Sequence, residues 1–267
     1  MCVVLAFLLV ALSGAQASTD AESFRSYEQE RFYLYSQSEK AEFACRMQLD
    51  SVDTLVAGLK AKIASGALPM DLKDSLEGFG VKYTRATDSL EFTRPTLALA
   101  IKEGAEIASQ ERLQEGMTQI FMGFNAQVEG AIGVAQGLLH EFLLSRHDAI
   151  QDVEFEATSS GYKATFSMEG GTTTTDFDGA TKHSEIRIGS GSIKAKAHFA
   201  SAPDGKLVLA HAEMEPAPGS SMTMVLNTQV VDGFILPEFI DMKASQASAS
   251  GQSDSGLVIN FTNCSVK

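Results

Sequence analysis

The sequence lacks the short motifs by which many enzyme active sites are recognised. It has no G-x-S-x-G nucleophile motif, no phosphate-binding loop and no glycine fingerprint between a strand and a helix. The zinc-protease motif H-E-x-x-H begins at His140-Glu141, but Leu144 stands where the second histidine is required. We therefore predict that the protein is not an enzyme and that it binds no cofactor and no metal.

Basic residues are also few, and they do not cluster. The 21 lysines and arginines face 34 aspartates and glutamates, which gives a net charge of −13 at pH 7. A protein that binds nucleic acid or an anionic membrane surface by charge needs a concentrated basic patch. Nucleic acid is therefore not an expected partner.

Long apolar runs are absent beyond the first residues. Residues 3–12 are uncharged and apolar, and residues 15–17 (Ala-Gln-Ala) supply the small residues that signal peptidases accept. The run is shorter than the ~20 apolar residues of a membrane-spanning helix. We interpret 1–17 as a signal peptide and expect a periplasmic or secreted protein without stable membrane insertion.

Cysteine is scarce, with three in the chain. Cys2 would leave with the signal peptide, so Cys45 and Cys264 would remain. In an oxidising compartment the simplest outcome for such a pair is one disulfide, which would connect the first helical segment to the last strand. Two separate buried thiols are the alternative.

The mature chain is expected to open with a helical region, residues 18–148. Thr19 and Glu22 have the spacing of a capping box, in which the two side chains satisfy backbone N–H groups reciprocally. Apolar residues then recur at helical spacing from Phe24 to Ile63, which predicts one helix or two consecutive helices.

The rest of this region contains one expected interruption. Residues 81–94 alternate apolar and polar side chains around a polar turn, which predicts a small β-hairpin. Pro69 suits the first turn of a short helix before that hairpin. Pro95 is expected to open a long helix that continues to about Arg146.

Glycines recur every seven residues in that long helix, at Gly116, Gly123, Gly130 and Gly137. Seven residues are almost two turns, so the glycines share a face, and each should cost ~1 kcal/mol relative to alanine. A close approach of another helix or of a sheet would offset this cost. A groove for an apolar ligand, lined by Gly123, Gly130, Gly137 and Phe124, is the second interpretation. A membrane-type helix contact is disfavoured, because polar residues interrupt the face.

From residue 149 the apolar period changes to two, and turn signals recur at hairpin spacing. We predict about eight antiparallel strands over 149–267, with one apolar and one polar face. The fold class is then α+β, with N-terminal helices packed on a curved antiparallel sheet of about eight strands. Such packing would make one unit of 18–148 and 149–267, and two independent domains are the alternative.

Two histidines, His198 and His211, flank a strong turn signal at 203–206 (Pro-Asp-Gly-Lys). They are expected to be cross-strand neighbours on a hairpin. Surface histidines on a hairpin are far commoner than metal sites, so no metal is predicted there.

The order of elements in residues 190–265 is distinctive. The hairpin at 203–206 precedes a Met/Leu/Val strand at 221–231, an Asp-Gly-x-x-Leu-Pro turn at 232–237 and two more strands. This order resembles the end of LolA-like bacterial lipoprotein carriers. The resemblance implies a curved half-barrel sheet whose hollow holds helices, in some members with room for a lipid or acyl chain. Those carriers begin with strands, whereas half of this chain is predicted to be helical first.

Two functions fit these predictions. In the first, the exported soluble protein binds a lipid or another apolar ligand between its helices and its sheet. Met222 and Met224 would line the cavity together with the glycines, since Met and Gly make an adaptable apolar pocket. In the alternative, the protein is an exported structural or protein-interaction module with a filled core and no ligand.

Overall fold

The computed structural model of the chain describes residues 19–33, 42–87, 89–103, 107–143, 153–168, 171–188, 190–248 and 251–267. Within these residues the helices are α1 (Thr19–Arg31), α2 (Asp50–Ala64) and α3 (Ile107–Leu143). The strands before α3 are β1 (Glu42–Leu49), β2 (Met70–Asp74), β3 (Gly80–Thr84), β4 (Ser89–Thr93) and β5 (Leu97–Ile101). The strands after α3 are β6 (Val153–Ala157), β7 (Gly161–Met168), β8 (Gly171–Asp178), β9 (Thr181–Ile188), β10 (Gly191–Ser201), β11 (Leu207–Glu215), β12 (Ser220–Val231), β13 (Phe234–Ser248) and β14 (Gly251–Val266). The predicted signal peptide at 1–17 lies outside the described residues.

Most of the strands belong to one large antiparallel sheet. Its order is β4-β3-β1-β14-β13-β12-β11-β10-β9-β8-β7-β6, and β2 pairs with β5 in a separate two-stranded sheet. The strands β6 to β14 therefore form a meander in which each strand pairs with the next. The strand β1 then pairs with β14, which places an early and a late segment of the chain side by side.

The prediction of N-terminal helices on a LolA-like sheet of about eight strands is wrong. The main sheet has twelve strands, and three of them come from residues 18–148: β1, which was predicted to be helical, and the hairpin strands β3 and β4. The hairpin expected at 81–94 is present, with Gly80 paired to Thr93 and Thr84 paired to Ser89.

Two further helical predictions in this region are wrong. The short helix expected after Pro69 is the strand β2, and the start of the long helix after Pro95 is the strand β5. Leu97, Leu99 and Ile101 alternate with alanines, and this short segment pairs with β2 over its full length. This pairing supplies backbone hydrogen bonds along one edge of each strand, and it overrides the helix propensity of the alanines.

The strand β1 was expected to be helical because its apolar residues continue a helical stripe. Phe43, Cys45, Met47 and Leu49 are all buried, and the residues between them are half-buried, so the burial period is two. The strands β14 and β3 pair with β1 on its two sides. A strand between two neighbours has nearly all its backbone groups satisfied, and this alternation therefore decides its structure.

The core lies between α3 and the half of the sheet near β1 and β14. Sheet residues such as Ile240, Ile259 and Phe261 are 2% exposed or less. They form one cluster with the buried face of α3, which consists of Phe124, Val128, Ala131, Ile132, Val134, Ala135 and Leu139.

The other end of the sheet is covered by α1 through an aromatic cluster. The ring of Phe24 stacks on Phe155 with a centroid distance of 4.4 Å and meets the edge of Phe177 at 5.0 Å. After the helix, Phe32 packs against Phe199 at 4.8 Å. The two helices α1 and α3 therefore cover different parts of the sheet.

The turn between β12 and β13 fixes the register of the two long strands. Asp232 and Gly233 have φ values of 49° and 84°, and Val231 pairs with Phe234 across them. A two-residue turn with both φ values positive matches the twist of an antiparallel pair, and Asp-Gly is a preferred sequence for it.

Candidate functional site

The apolar face of the sheet extends beyond the core. Along β12, Leu226 is buried, Met224 is half-buried against the edge of the core, and Met222 is half-buried beyond it. Because side chains in a strand alternate between faces, these three residues point to the same side. The inner face therefore continues as a partly exposed apolar surface where α3 no longer covers it.

Strand register gathers four methionines on this surface. Met214 lies opposite Met222, and Met224 lies opposite Met242. All four are half-buried, and alanines flank the pair of methionines in each row. We call this surface the methionine face. It consists of Ala195, Met214, Met222 and Ala244 in one row, and of Ala197, Ala212, Met224, Met242 and Leu257 in the next.

A lysine stands at the end of the second row. Lys182 lies opposite Ala197 on one side and opposite Phe177 on the other. Its ammonium lies 5.7 Å from the centre of the Phe177 ring, so the side chain is on the inner face of the sheet. The methionine face thus has a positively charged group at its β9 end.

Sequence reasoning found part of this surface. Met222 and Met224 were proposed as ligand-contacting residues, and the structure brings them together. Met214 and Met242 were recognised only as members of strands. The signal that could have found them was their period of two, but grouping them also requires the pairing register.

Phe124, the aromatic residue proposed for the ligand groove, belongs to the core. Its side chain is 2% exposed, and it packs in the cluster between α3 and the sheet. The structure therefore assigns Phe124 to packing in the core.

The glycines of α3 have a different environment from the one expected. Gly123 and Gly130 are exposed, and Gly137 is half-buried. A Cβ atom added to Gly116, Gly123 or Gly130 would meet no heavy atom within 4 Å. The close approach of another backbone, which was predicted to explain these glycines, is absent at these three positions. Gly123 and Gly130 lie on a flank of α3 that faces solvent.

Replacing Gly123 and Gly130 by alanine is expected to stabilise the protein. The helix interior loses ~1 kcal/mol of stability at each glycine relative to alanine, and the space around these two positions is open. The double variant should therefore raise the free energy of unfolding by about 1–2 kcal/mol in a denaturant titration. Gly161→Ala is the opposing control, because its Cβ would overlap the carbonyl oxygen of Phe177. A loss of stability in the double variant would contradict the solvent-facing placement.

A small pocket, partly open to solvent, lies close to the methionine face. It has a volume of about 30 Å³, roughly the share of one water molecule in the liquid. Tyr33 lies in the wall of this pocket, and its burial raises the pKa of its hydroxyl. The backbone N–H of Ile235 donates a hydrogen bond to that hydroxyl at 3.0 Å, which lowers the pKa and so opposes the effect of burial. The lining of the pocket is otherwise mainly apolar and includes Leu138, Leu139, Leu226, Ile235 and Ile240.

The predicted disulfide between Cys45 and Cys264 is confirmed. The bridge joins the adjacent strands β1 and β14, with a Cα–Cα distance of 4.1 Å. It therefore connects two strands, since the segment that contains Cys45 is not helical. A disulfide persists in oxidising compartments, so the bridge indicates an exported protein. Among the described residues, no helix combines the length and the apolar character that crossing a membrane requires.

The chain shows little similarity to known proteins. No protein-family model and no curated protein matches it. A solved structure, that of a porin-like protein from Bacteroides uniformis ATCC 8492, aligns with 89% of this chain and 99% of the other at 7% sequence identity and a TM-score of 0.31. That degree of similarity does not establish a common fold. None of these comparisons links the chain to the LolA-like carriers.

Proposed function

We propose that this is an exported protein that binds the hydrocarbon chain of a lipid on its methionine face. The observation that carries the proposal is the group of four half-buried methionines on the adjacent strands β11, β12 and β13. Methionine side chains are flexible and polarisable, so they adapt to apolar ligands of variable shape. Ala195, Ala212 and Ala244 flank the methionine pairs, and their short side chains leave space for a chain to lie across the strands.

The dimensions and the charge of the surface favour a fatty acyl chain with an anionic head. The second row crosses five adjacent strands, from β10 to β14, and these span about 19 Å at the usual strand spacing. Lys182 stands one strand further, at the β9 end of the same row. A carboxylate at the end of the chain would meet the lysine ammonium while the hydrocarbon covers the methionines.

A second function is favoured by a different observation. The partly open pocket of about 30 Å³ is far smaller than the roughly 300–1,000 Å³ of ligand pockets. A protein with so small a pocket is suited to serve as an exported interaction module with no lipid ligand. The two functions differ in whether the open methionine face binds a hydrocarbon chain.

A fluorescent fatty acid separates the two functions. The mature protein is expected to bind it saturably, and the double variant Met224→Glu/Met242→Glu in the second row is expected to bind at least about tenfold more weakly, because a hydrocarbon chain would then desolvate two carboxylates. Met122→Glu is the matched control, since Met122 is 62% exposed on α3 and should tolerate the charge. Near-ultraviolet circular dichroism checks that each variant is folded.

A second experiment tests whether Lys182 binds the carboxylate head group of the fatty acid. Lys182→Met should weaken binding of the fatty acid and leave binding of its uncharged methyl ester unchanged. If the native protein neither carries lipid by mass spectrometry nor binds the probe, the acyl-chain function is wrong and the interaction module remains.

A further inference from the structure

Two histidines face each other on the sheet surface opposite the methionine face. His198 on β10 lies directly opposite His211 on β11, as expected from the turn between them. Their rings are nearly parallel, with an angle of 25° and a centroid distance of 5.6 Å. Ala197 and Phe199, the neighbours of His198 in sequence, pack against the core, so His198 points to the outer face.

A carboxylate completes a group of three potential ligands. Glu213 lies two residues after His211 and therefore on the same face of β11. Its Oε1 atom is 3.8 Å from Nδ1 of His211. Each of the three residues offers one ligand atom, and these atoms all lie within 4.8 Å of one another.

Local strand geometry supports the convergence of these side chains. His198 pairs with His211 and Phe199 pairs with Leu209, so Ala210 is an extra residue that forms a β-bulge in β11 directly before the second histidine. A bulge bends its strand and changes the direction of nearby side chains, and such bulges are frequent beside functional sites. Both histidines are half-buried, so neighbouring side chains restrict their rings while the site stays accessible to ions.

The charged residues near this group include one that disfavours cation binding and one that favours it. Lys196 lies opposite Glu213 and brings a positive charge to the group. Asp241 lies on β13, opposite Val225, which in turn lies opposite His211. The protein as a whole has a net charge of −13, which favours the approach of cations.

We propose that His198, His211 and Glu213 bind one zinc ion. Two neutral imidazoles and one carboxylate are a ligand set that zinc accepts, with a water in the fourth position of the tetrahedron. Ligand atoms around tetrahedral zinc are about 3.3 Å apart. Zinc binding would draw the three atoms, which now lie within 4.8 Å of one another, to that distance by side-chain rotation. The proposal revises the prediction that this hairpin binds no metal, and it is independent of the methionine face.

Titration calorimetry with zinc chloride tests the site. The tag-free mature protein, first treated with a chelator, should bind one equivalent of zinc. His198→Ala and His211→Ala should each weaken this binding at least about tenfold, as is typical when a metal site loses a supporting group. His183→Ala is the matched control, because His183 is an exposed histidine on the outer face of the adjacent strand β9, opposite Lys196.

A spectroscopic measurement gives a second, independent readout. Cobalt(II) added in place of zinc should give the intense visible absorption of a tetrahedral site in the native protein and in His183→Ala, and not in His211→Ala. Circular dichroism shows whether each alanine variant is folded. If one is not, the glutamine variant at the same position, His198→Gln or His211→Gln, replaces it in both experiments. The proposal fails if the native protein binds no zinc saturably, or if a variant without both His198 and His211 binds it with unchanged affinity.

Discussion

Removing the disulfide by replacing Cys45 and Cys264 with alanine is expected to lower the free energy of unfolding by about 5 kcal/mol. The bridge closes a loop between residues 219 positions apart, so it greatly reduces the number of conformations open to the unfolded chain. Alanine is the appropriate replacement, because Cys45 is buried and a serine hydroxyl there would lack the solvation it has in water. Urea titrations of the two proteins measure the difference.

Chemical reduction provides the control for this result. A reducing agent should destabilise the native protein by a similar amount and leave the stability of the Cys45→Ala/Cys264→Ala variant unchanged. Two free thiols in the denatured, unreduced native protein would show that the bridge does not form.

Shortening Phe124 to alanine is expected to cost about 3–5 kcal/mol. Phe124 is 2% exposed and packs in the cluster that joins α3 to the sheet, so the substitution removes a large apolar contact and leaves a cavity. A denaturant titration should show a lower midpoint with little change in slope.

The neighbouring helix position supplies the comparison for Phe124. Met122 is 62% exposed on the same helix, so Met122→Ala should change the free energy of unfolding by less than about 0.5 kcal/mol. If Phe124→Ala weakened binding of the fatty acid without reducing stability, Phe124 would be a ligand contact and not a core residue.

The local pattern of the sequence predicts the C-terminal strands better than the N-terminal ones. From β6 onward, alternation and turn signals such as Asp232-Gly233 both indicate antiparallel strands. In β1 the two periods compete. Cys45, Leu49 and Val52 fit a helix, whereas Phe43, Cys45 and Met47 fit a strand, and only pairing with distant β14 decides between them.

The residues of the candidate sites differ in the same way in how far the local sequence predicts them. The sequence identifies Met222, Met224 and the cross-strand pair of His198 and His211, since these depend on a single strand or a single turn. Two other contacts depend on strand register and on side-chain geometry. These are the position of Met214 opposite Met222 and the approach of Glu213 to His211.

The prediction from the seven-residue glycine period was a close contact with another backbone, but the structure places Gly123 and Gly130 in open space. No feature of the structure explains why glycine occupies these positions.

The position of β14 also constrains the order in which the protein can assemble. This strand is the last of the fourteen in sequence, yet it lies between β1 and β13 and contributes half of the disulfide. During synthesis or passage through a membrane, β1, β3 and β4 can pair with one another early, and β6 to β13 can pair in turn, but β1 appears long before its other partner, β14. The two parts of the sheet are therefore joined, and Cys45 and Cys264 are oxidised together, only when β14 arrives.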